Sequence, residues 1–134
     1  MFLIDTDILS ALRKPRRHPG VAQWLTAQRA TDLFLSVVSI GEVEHGIEQQ
    51  RHLNRTFSED LALWLDQLLR LYATQILDID ISTARRWGKL SAAIGNDSAD
   101  LMIAATALEH GLTVVTRNTK HFKATGAAVL DPFH

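Results

Sequence analysis

Phe2-Leu3-Ile4-Asp5-Thr6-Asp7-Ile8-Leu9-Ser10 decides how the rest of the chain is read. Three apolar residues run directly into an acid. That pattern predicts a short, buried β-strand with a carboxylate at its C-terminal end. Asp7 is a helix-capping residue type, and it predicts a helix that ends near Pro15. A buried strand followed by a helix is the first unit of an α/β fold, in which helices cover a parallel sheet.

The same alternation continues downstream. A helical stretch with Val21, Trp24 and Leu25 follows Pro19-Gly20, and Leu33-Phe34-Leu35-Ser36-Val37 reads as a second strand. Ser39 is predicted to open a helix with Ile40, Val43 and Ile47 on one face. Ser58 opens another, whose Leu61, Trp64, Leu65, Leu68 and Tyr72 recur at helical spacing. Ile76-Leu77-Asp78-Ile79 is the third strand. Ser82 caps a helix carrying Ala84, Trp87, Leu90 and Ile94, which Gly95 stops. Residues Asp97 to His110 form a further helix. Leu112 to Val115 and Ala127 to Leu130 complete the strands. The expected architecture is a three-layer α/β/α fold around a parallel sheet of four to five strands. Trp24, Trp64 and Trp87 fall on apolar helical faces and read as core or as a dimer contact. The basic stretch from Arg13 to Gly20 reads as the most loop-like region.

At 134 residues, the chain fits one domain spanning residues 1–134. Hydrophobic residues make up 46%, enough for a buried core, and charged residues 22%, an ordinary globular share. The absence of cysteine excludes disulfides and thiolate metal sites. The N-terminus meets Asp5 too early for a signal peptide, and no apolar run approaches the roughly 20 residues of a membrane span. A cytoplasmic protein without membrane contact is expected. Lys and Arg total 14 against 15 acids, so no global field attracts nucleic acid. Two local basic clusters remain: Arg13, Lys14, Arg16, Arg17 and His18, and Arg117, Lys120, His121 and Lys123.

Three acids fall where such a sheet places its chemistry. Asp5 follows the first strand, Glu42 sits early in the helix after the second, and Asp100 opens the helix before the fourth. Ligands of open parallel sheets collect at the carboxyl ends of the strands. Three carboxylates gathered there repel one another, and a divalent cation with a preference for oxygen ligands, Mg²⁺ or Mn²⁺, relieves that repulsion. Each acid also has a purely structural reading. Ser39-x-x-Glu42 is a capping-box pattern, Asp97 an ordinary N-cap, Asp100 a charge complementing its helix dipole, and Asp5 the start of a turn.

Four segments together resemble the PIN-domain family, and within it the VapC toxin branch. Phe2 to Ser10 is similar to its opening, where an apolar strand ends in Asp-Thr. Ser39-Ile40-Gly41-Glu42-Val43-Glu44-His45-Gly46-Ile47 is similar to its second motif, and Ala99-Asp100-Leu101-Met102-Ile103-Ala104-Ala105-Thr106-Ala107 to its third. Gly111-Leu112-Thr113-Val114-Val115-Thr116-Arg117-Asn118 is similar to the fourth, and Asp131-Pro132-Phe133-His134 resembles the family's ending. The resemblance implies a metal-dependent endoribonuclease, the toxin of a toxin–antitoxin pair. Asp5, Glu42 and Asp100 would be its catalytic acids, with Asp5 and Asp100 the main Mg²⁺ ligands. Asn118 stands where many members carry a fourth acid and would offer its carbonyl. Thr6 and Thr116 would support the site through their hydroxyls, Asp97 would add a nearby acid, and Arg117 would stabilise the leaving oxygen. The resemblance also implies an RNA substrate, a homodimer, a cognate antitoxin, and DNA contact only through that antitoxin.

Two alternatives belong to other classes. Asp5-x-Asp7 also resembles the nucleophile motif of haloacid-dehalogenase-type phosphatases, with Asp5 as nucleophile and Asp7 as general acid. The other is a PIN-like binding module without activity.

Overall fold

The computed structural model describes residues 1–133, so His134 of the terminal motif lies outside the described residues. The chain runs β1 (Phe2–Ile4), α1 (Thr6–Leu12), α2 (Pro19–Thr26), a 3₁₀ turn (Ala30–Asp32), β2 (Leu33–Ser36), α3 (Val37–Gln50) and α4 (Arg55–Leu71). It continues with β3 (Ile76–Leu77), α5 (Ile81–Ile94), α6 (Ala99–His110), β4 (Thr113–Val115), α7 (Thr119–Lys123) and β5 (Val129–Leu130).

All strand pairs are parallel, and the sheet order is β3-β2-β1-β4-β5. The first strand is therefore central, pairing Phe2 with Leu33 on one side and with Thr113 on the other. From β1 the chain builds outward through β2 and β3, then returns to the far side of β1 for β4 and β5. The order reverses between β1 and β4. The carboxyl ends of those two strands, carrying Asp5 and Thr116, form the switch point where such sheets bind ligands.

Side chains alternate across the sheet, which splits the interior into two cores. Ile4 and Val115 face a core completed by Ile8, Leu9, Val21, Val43, Ile47, Leu65 and Leu68 from α1 to α4. Leu3 and Val114 face the opposite core, with Ile103, Ala104, Ala107 and Phe122 from α6 and α7. The expected three layers and parallel sheet are thus present, with five strands. Leu3, Ile4, Val114 and Val115 are at most 1% exposed. Burial of each stabilises the fold by roughly 1.5–3 kcal/mol.

Several predicted helix starts shift, and each shift has a local cause. Asp5, not Asp7, caps α1, its carboxylate accepting from the Thr6 N–H. Ser36 caps α3 by accepting from the Val38 N–H, so the helix begins at Val37 and Ser39 lies inside it, buried. Asn54 replaces Ser58 as the cap of α4; the Ser58 hydroxyl instead donates to the Ile47 carbonyl and ties α4 to α3. Asp80 replaces Ser82 at α5 by accepting from the Thr83 N–H. In α6 the N-cap is Ser98, and Asp97 lies before it. Gly95 does end α5, with a φ of 87° that suits glycine.

The basic stretch after α1 is more ordered than its composition suggests. Lys14 donates its N–H to Ala11, and Arg17 and His18 both donate to the Lys14 carbonyl. Trp24 is half-buried and packs edge-on against Phe2 at 5.0 Å, while Trp64 packs on the first core.

Candidate active site

Asp5 is only 4% exposed, and both of its carboxylate oxygens hold donors. One accepts the Thr6 N–H at 2.8 Å, and the other accepts the hydroxyl of the fully buried Thr116 at 2.8 Å. The Thr116 oxygen in turn accepts the Asn118 N–H at 2.9 Å. The Asn118 side-chain amide donates to Asp100 at 3.2 Å and lies 2.9 Å from His121 Nδ1. On the other flank, Thr6 Oγ1 lies 2.7 Å from Glu42 Oε1 and 2.8 Å from Ser39 Oγ. One hydroxyl proton serves one acceptor well. The carboxylate is the stronger of the two, which leaves the Ser39 hydroxyl free to donate to Thr6.

A continuous hydrogen-bonded line therefore runs Glu42–Thr6–Asp5–Thr116–Asn118–Asp100 across the switch point. The three predicted acids lie on it, joined by the two predicted threonines and the predicted asparagine. Glu42 is exposed at one end, and Asp100 is half-buried at the other. Among the described residues, however, no three acids or histidines close into a metal-holding group. The carboxylates are spaced by their bridging neighbours rather than packed around one point.

Three further residues named from the sequence have the following surroundings. Asn118 presents its amide nitrogen to Asp100, because an ionised carboxylate accepts and only the NH₂ can donate. The Arg117 guanidinium stacks 3.7 Å above the Phe133 ring, and what reaches the site from Arg117 is its backbone N–H, donated to Asp7 at 3.1 Å. Asp97 is exposed and makes no hydrogen bond or ion pair with the line among the described residues.

Asp7, Ser39 and His121 also belong to the site, where the sequence offers Asp7 as a cap or as the general acid of the phosphatase alternative, Ser39 as a cap and His121 as part of a basic cluster. Asp7 Oδ2 accepts the Arg117 N–H, and its Oδ1 is buried with no hydrogen-bond partner among the described residues. The Asp5-x-Asp7 spacing was the available signal. Only the tertiary fold brings Ser39 and His121 to Thr6 and Asn118.

Desolvation raises Asp5 most, and the nearby charge of Asp7 raises it further; the donors Thr116 and Thr6 oppose them, and Asp100 adds a smaller push. The result is a carboxyl group pushed up to about 7. Burial also raises Asp7, against the Arg117 N–H. The site is therefore a strained concentration of negative charge that either keeps a proton or needs a cation.

Residues 2–127 match the PIN domain. The chain belongs to the PIN-domain family. Toxin FitB of Neisseria gonorrhoeae is 34% identical, over 100% of this chain and 99% of its own length. A VapC ribonuclease of Sinorhizobium fredii is 30% identical, covering 99% and 98%. The crystal structure of FitAcB from Neisseria gonorrhoeae has a TM-score of 0.88 at 34% identity, covering 100% of this chain and 99% of the other. A toxin–antitoxin complex from Klebsiella pneumoniae has a TM-score of 0.68 at 27% identity, covering 98% of each chain. Membership in the PIN-domain family displaces the phosphatase alternative. Among the described residues, no helix is long and apolar enough to cross a membrane.

Proposed function

We propose that this chain is an Mg²⁺-dependent endoribonuclease that acts as the toxin of a toxin–antitoxin pair. The observation that carries the reading is the line of three carboxylates bridged by Thr6, Thr116 and Asn118 at the switch point. Likeness to a FitB toxin and a VapC ribonuclease over nearly the whole chain supports it.

The donor set fits a hard cation. Every donor is oxygen, and Mg²⁺ usually takes one or two carboxylates and fills its remaining positions with water and substrate phosphate. An open line of acids suits that habit better than a closed cage. Asp5 and Asp100 would hold the ion, with Glu42 beside them; Mn²⁺ would substitute. Bound there, the ion supplies phosphate polarisation and a more acidic water.

The chain's own residues do the rest. Thr6 and Thr116 fix the Asp5 carboxylate from both sides and keep it ionisable despite burial. Glu42 is exposed and oriented by Thr6, so it is placed to take a proton from an attacking water. Asn118 holds Asp100 through its side-chain amide. Hydrolysis of the RNA backbone would leave 5′-phosphate and 3′-hydroxyl ends. Single-stranded RNA fits best, because its backbone can reach an exposed groove.

Likeness to a toxin–antitoxin complex supports the antitoxin partner, and the family resemblance implies the rest. A cognate antitoxin would cover the acidic groove, a homodimer would form, DNA would be met only through the antitoxin, and the cytoplasm would be the compartment. Purified protein, free of antitoxin, incubated with total bacterial RNA in Mg²⁺ or Mn²⁺ should give discrete products with 5′-phosphate ends, and none in EDTA. Folded protein that leaves RNA intact with every divalent metal would remove this reading and leave the inactive binding module.

A further inference from the structure

A second feature lies beside the acids. A cavity of about 230 Å³ opens between the end of α1, the turns after it and the C-terminal tail. Among the described residues its polar lining includes the basic side chains Arg13, Lys14, Arg17 and Arg117, with His18 and the carboxylate Asp7. Phe133 also lines the cavity and holds it together, with the Arg117 guanidinium over its ring and the His18 ring edge-on at 5.5 Å. Arg13 lies 4.7 Å above the Phe57 ring. Aromatic faces hold these guanidinium groups in place without neutralising them, and the N–H edges stay available.

Among the described residues, no carboxylate outside the cavity takes up these cations in an ion pair closer than 4 Å. The arginine ion pairs among the described residues involve Arg29, Arg51, Arg55 and Arg86, each on other elements. Among the described residues, Arg13, Lys14 and Arg17 form none. Their backbone is nevertheless fixed by the hydrogen-bonded turns that follow α1. A chain with net charge −1 thus concentrates four permanent cations at one ordered place, next to its most acidic one.

We infer that this cavity is a phosphate subsite for an RNA strand lying across the acid line, a reading that rests on the proposed ribonuclease activity. Asp5, Asp7, Glu42 and Asp100 repel a polyanion, so a strand that reaches them needs cations on an adjoining phosphate. The cavity shares Asp7 with that site, and Arg117 touches both: its N–H bonds Asp7 while its side chain forms part of the lining. A strand whose scissile group meets Asp5 and Asp100 therefore places a neighbouring phosphate among Lys14, Arg17 and Arg117.

The test measures binding of a short, fluorescently labelled single-stranded RNA in EDTA across a salt series. Wild type, Lys14→Ala/Arg17→Ala and a control Arg29→Ala/Arg55→Ala variant are compared after melting curves show all three folded. Loss of the contacts to that phosphate should weaken binding by about tenfold and flatten the dependence of log affinity on log salt by about 0.7. The control should keep the wild-type slope. An unchanged slope and affinity in the folded double variant would overturn the subsite. So would a variant that binds RNA normally but loses affinity for a poly-glutamate peptide, which would assign the cavity to an acidic protein partner. Wild type that binds through Lys14 and Arg17 yet never cleaves supports the subsite and removes the ribonuclease reading. Wild type that cleaves, with a double variant of unchanged KM, removes the subsite alone.

Discussion

The Thr116 hydroxyl donates to the Asp5 carboxylate across 2.8 Å, joining the ends of two adjacent strands whose residues stand 111 positions apart. Both residues are buried, so this bond offsets part of the cost of placing a carboxylate there. Thr116→Val keeps the shape and removes the donor. It should cost about 1–3 kcal/mol of stability when Asp5 is ionised. It should also move the acid limb of the cleavage pH profile to higher pH, because the proton on Asp5 is then harder to remove. A pH–rate profile superimposable on wild type would show that Thr116 does not tune Asp5.

The raised Asp5 makes metal-free stability depend on pH. Its folded value of about 7 lies above the ordinary carboxylate value of the unfolded chain, so the folded state binds that proton more tightly. The stability it contributes is complete in acid below the unfolded value and is lost as pH rises through about 7. In EDTA, wild type should therefore lose more Tm than Asp5→Asn between about pH 5 and about pH 8. Mg²⁺ should restore wild type preferentially at the higher pH. Parallel melting curves for the two proteins would contradict the assignment.

Ser36 and Ser39 separate a cap from a site residue. Ser36→Ala removes the N-cap of α3 and should cost about 1 kcal/mol by thermal or urea unfolding. Ser39→Ala leaves that cap intact and removes the neighbour of Thr6 and Glu42, so it should lower kcat more than KM. A larger helix-start penalty at Ser39 than at Ser36 would restore the capping-box reading of Ser39-x-x-Glu42.

Phe133→Ala removes the ring shared by Arg117 and His18. It should weaken RNA binding by freeing Arg117, while the Arg117 N–H bond to Asp7 holds the acid line and keeps metal-dependent turnover at saturating RNA. Equal losses in KM and kcat would mean that the tail supports the acids as well.

These contrasts show what the sequence carried. Asp5, Glu42 and Asp100 were legible because connectivity alone sends the ends of parallel strands and the starts of returning helices to one edge. Leu3 and Ile4 were legible as core because only a strand covered on both faces tolerates such a run. The start of α3 was not, because Val37 is β-branched and reads as the end of β2. Asp7 looked like a cap because its type suits one; its partner is the Arg117 N–H, 110 residues away. Arg117 read as a reaching cation because nothing local reveals the Phe133 ring beneath it.

The most direct measurement is single-turnover cleavage of a single-stranded RNA in Mg²⁺ by wild type and by Asp5→Asn at matched folded fraction. Asn keeps the size of Asp5 and can still accept one of its two hydrogen bonds, but it removes the charge at the centre of the line. The expected result is a rate loss of about a hundredfold or more, not rescued by Mn²⁺. A folded Asp5→Asn variant that cleaves within about twofold of wild type would contradict the central role given to Asp5.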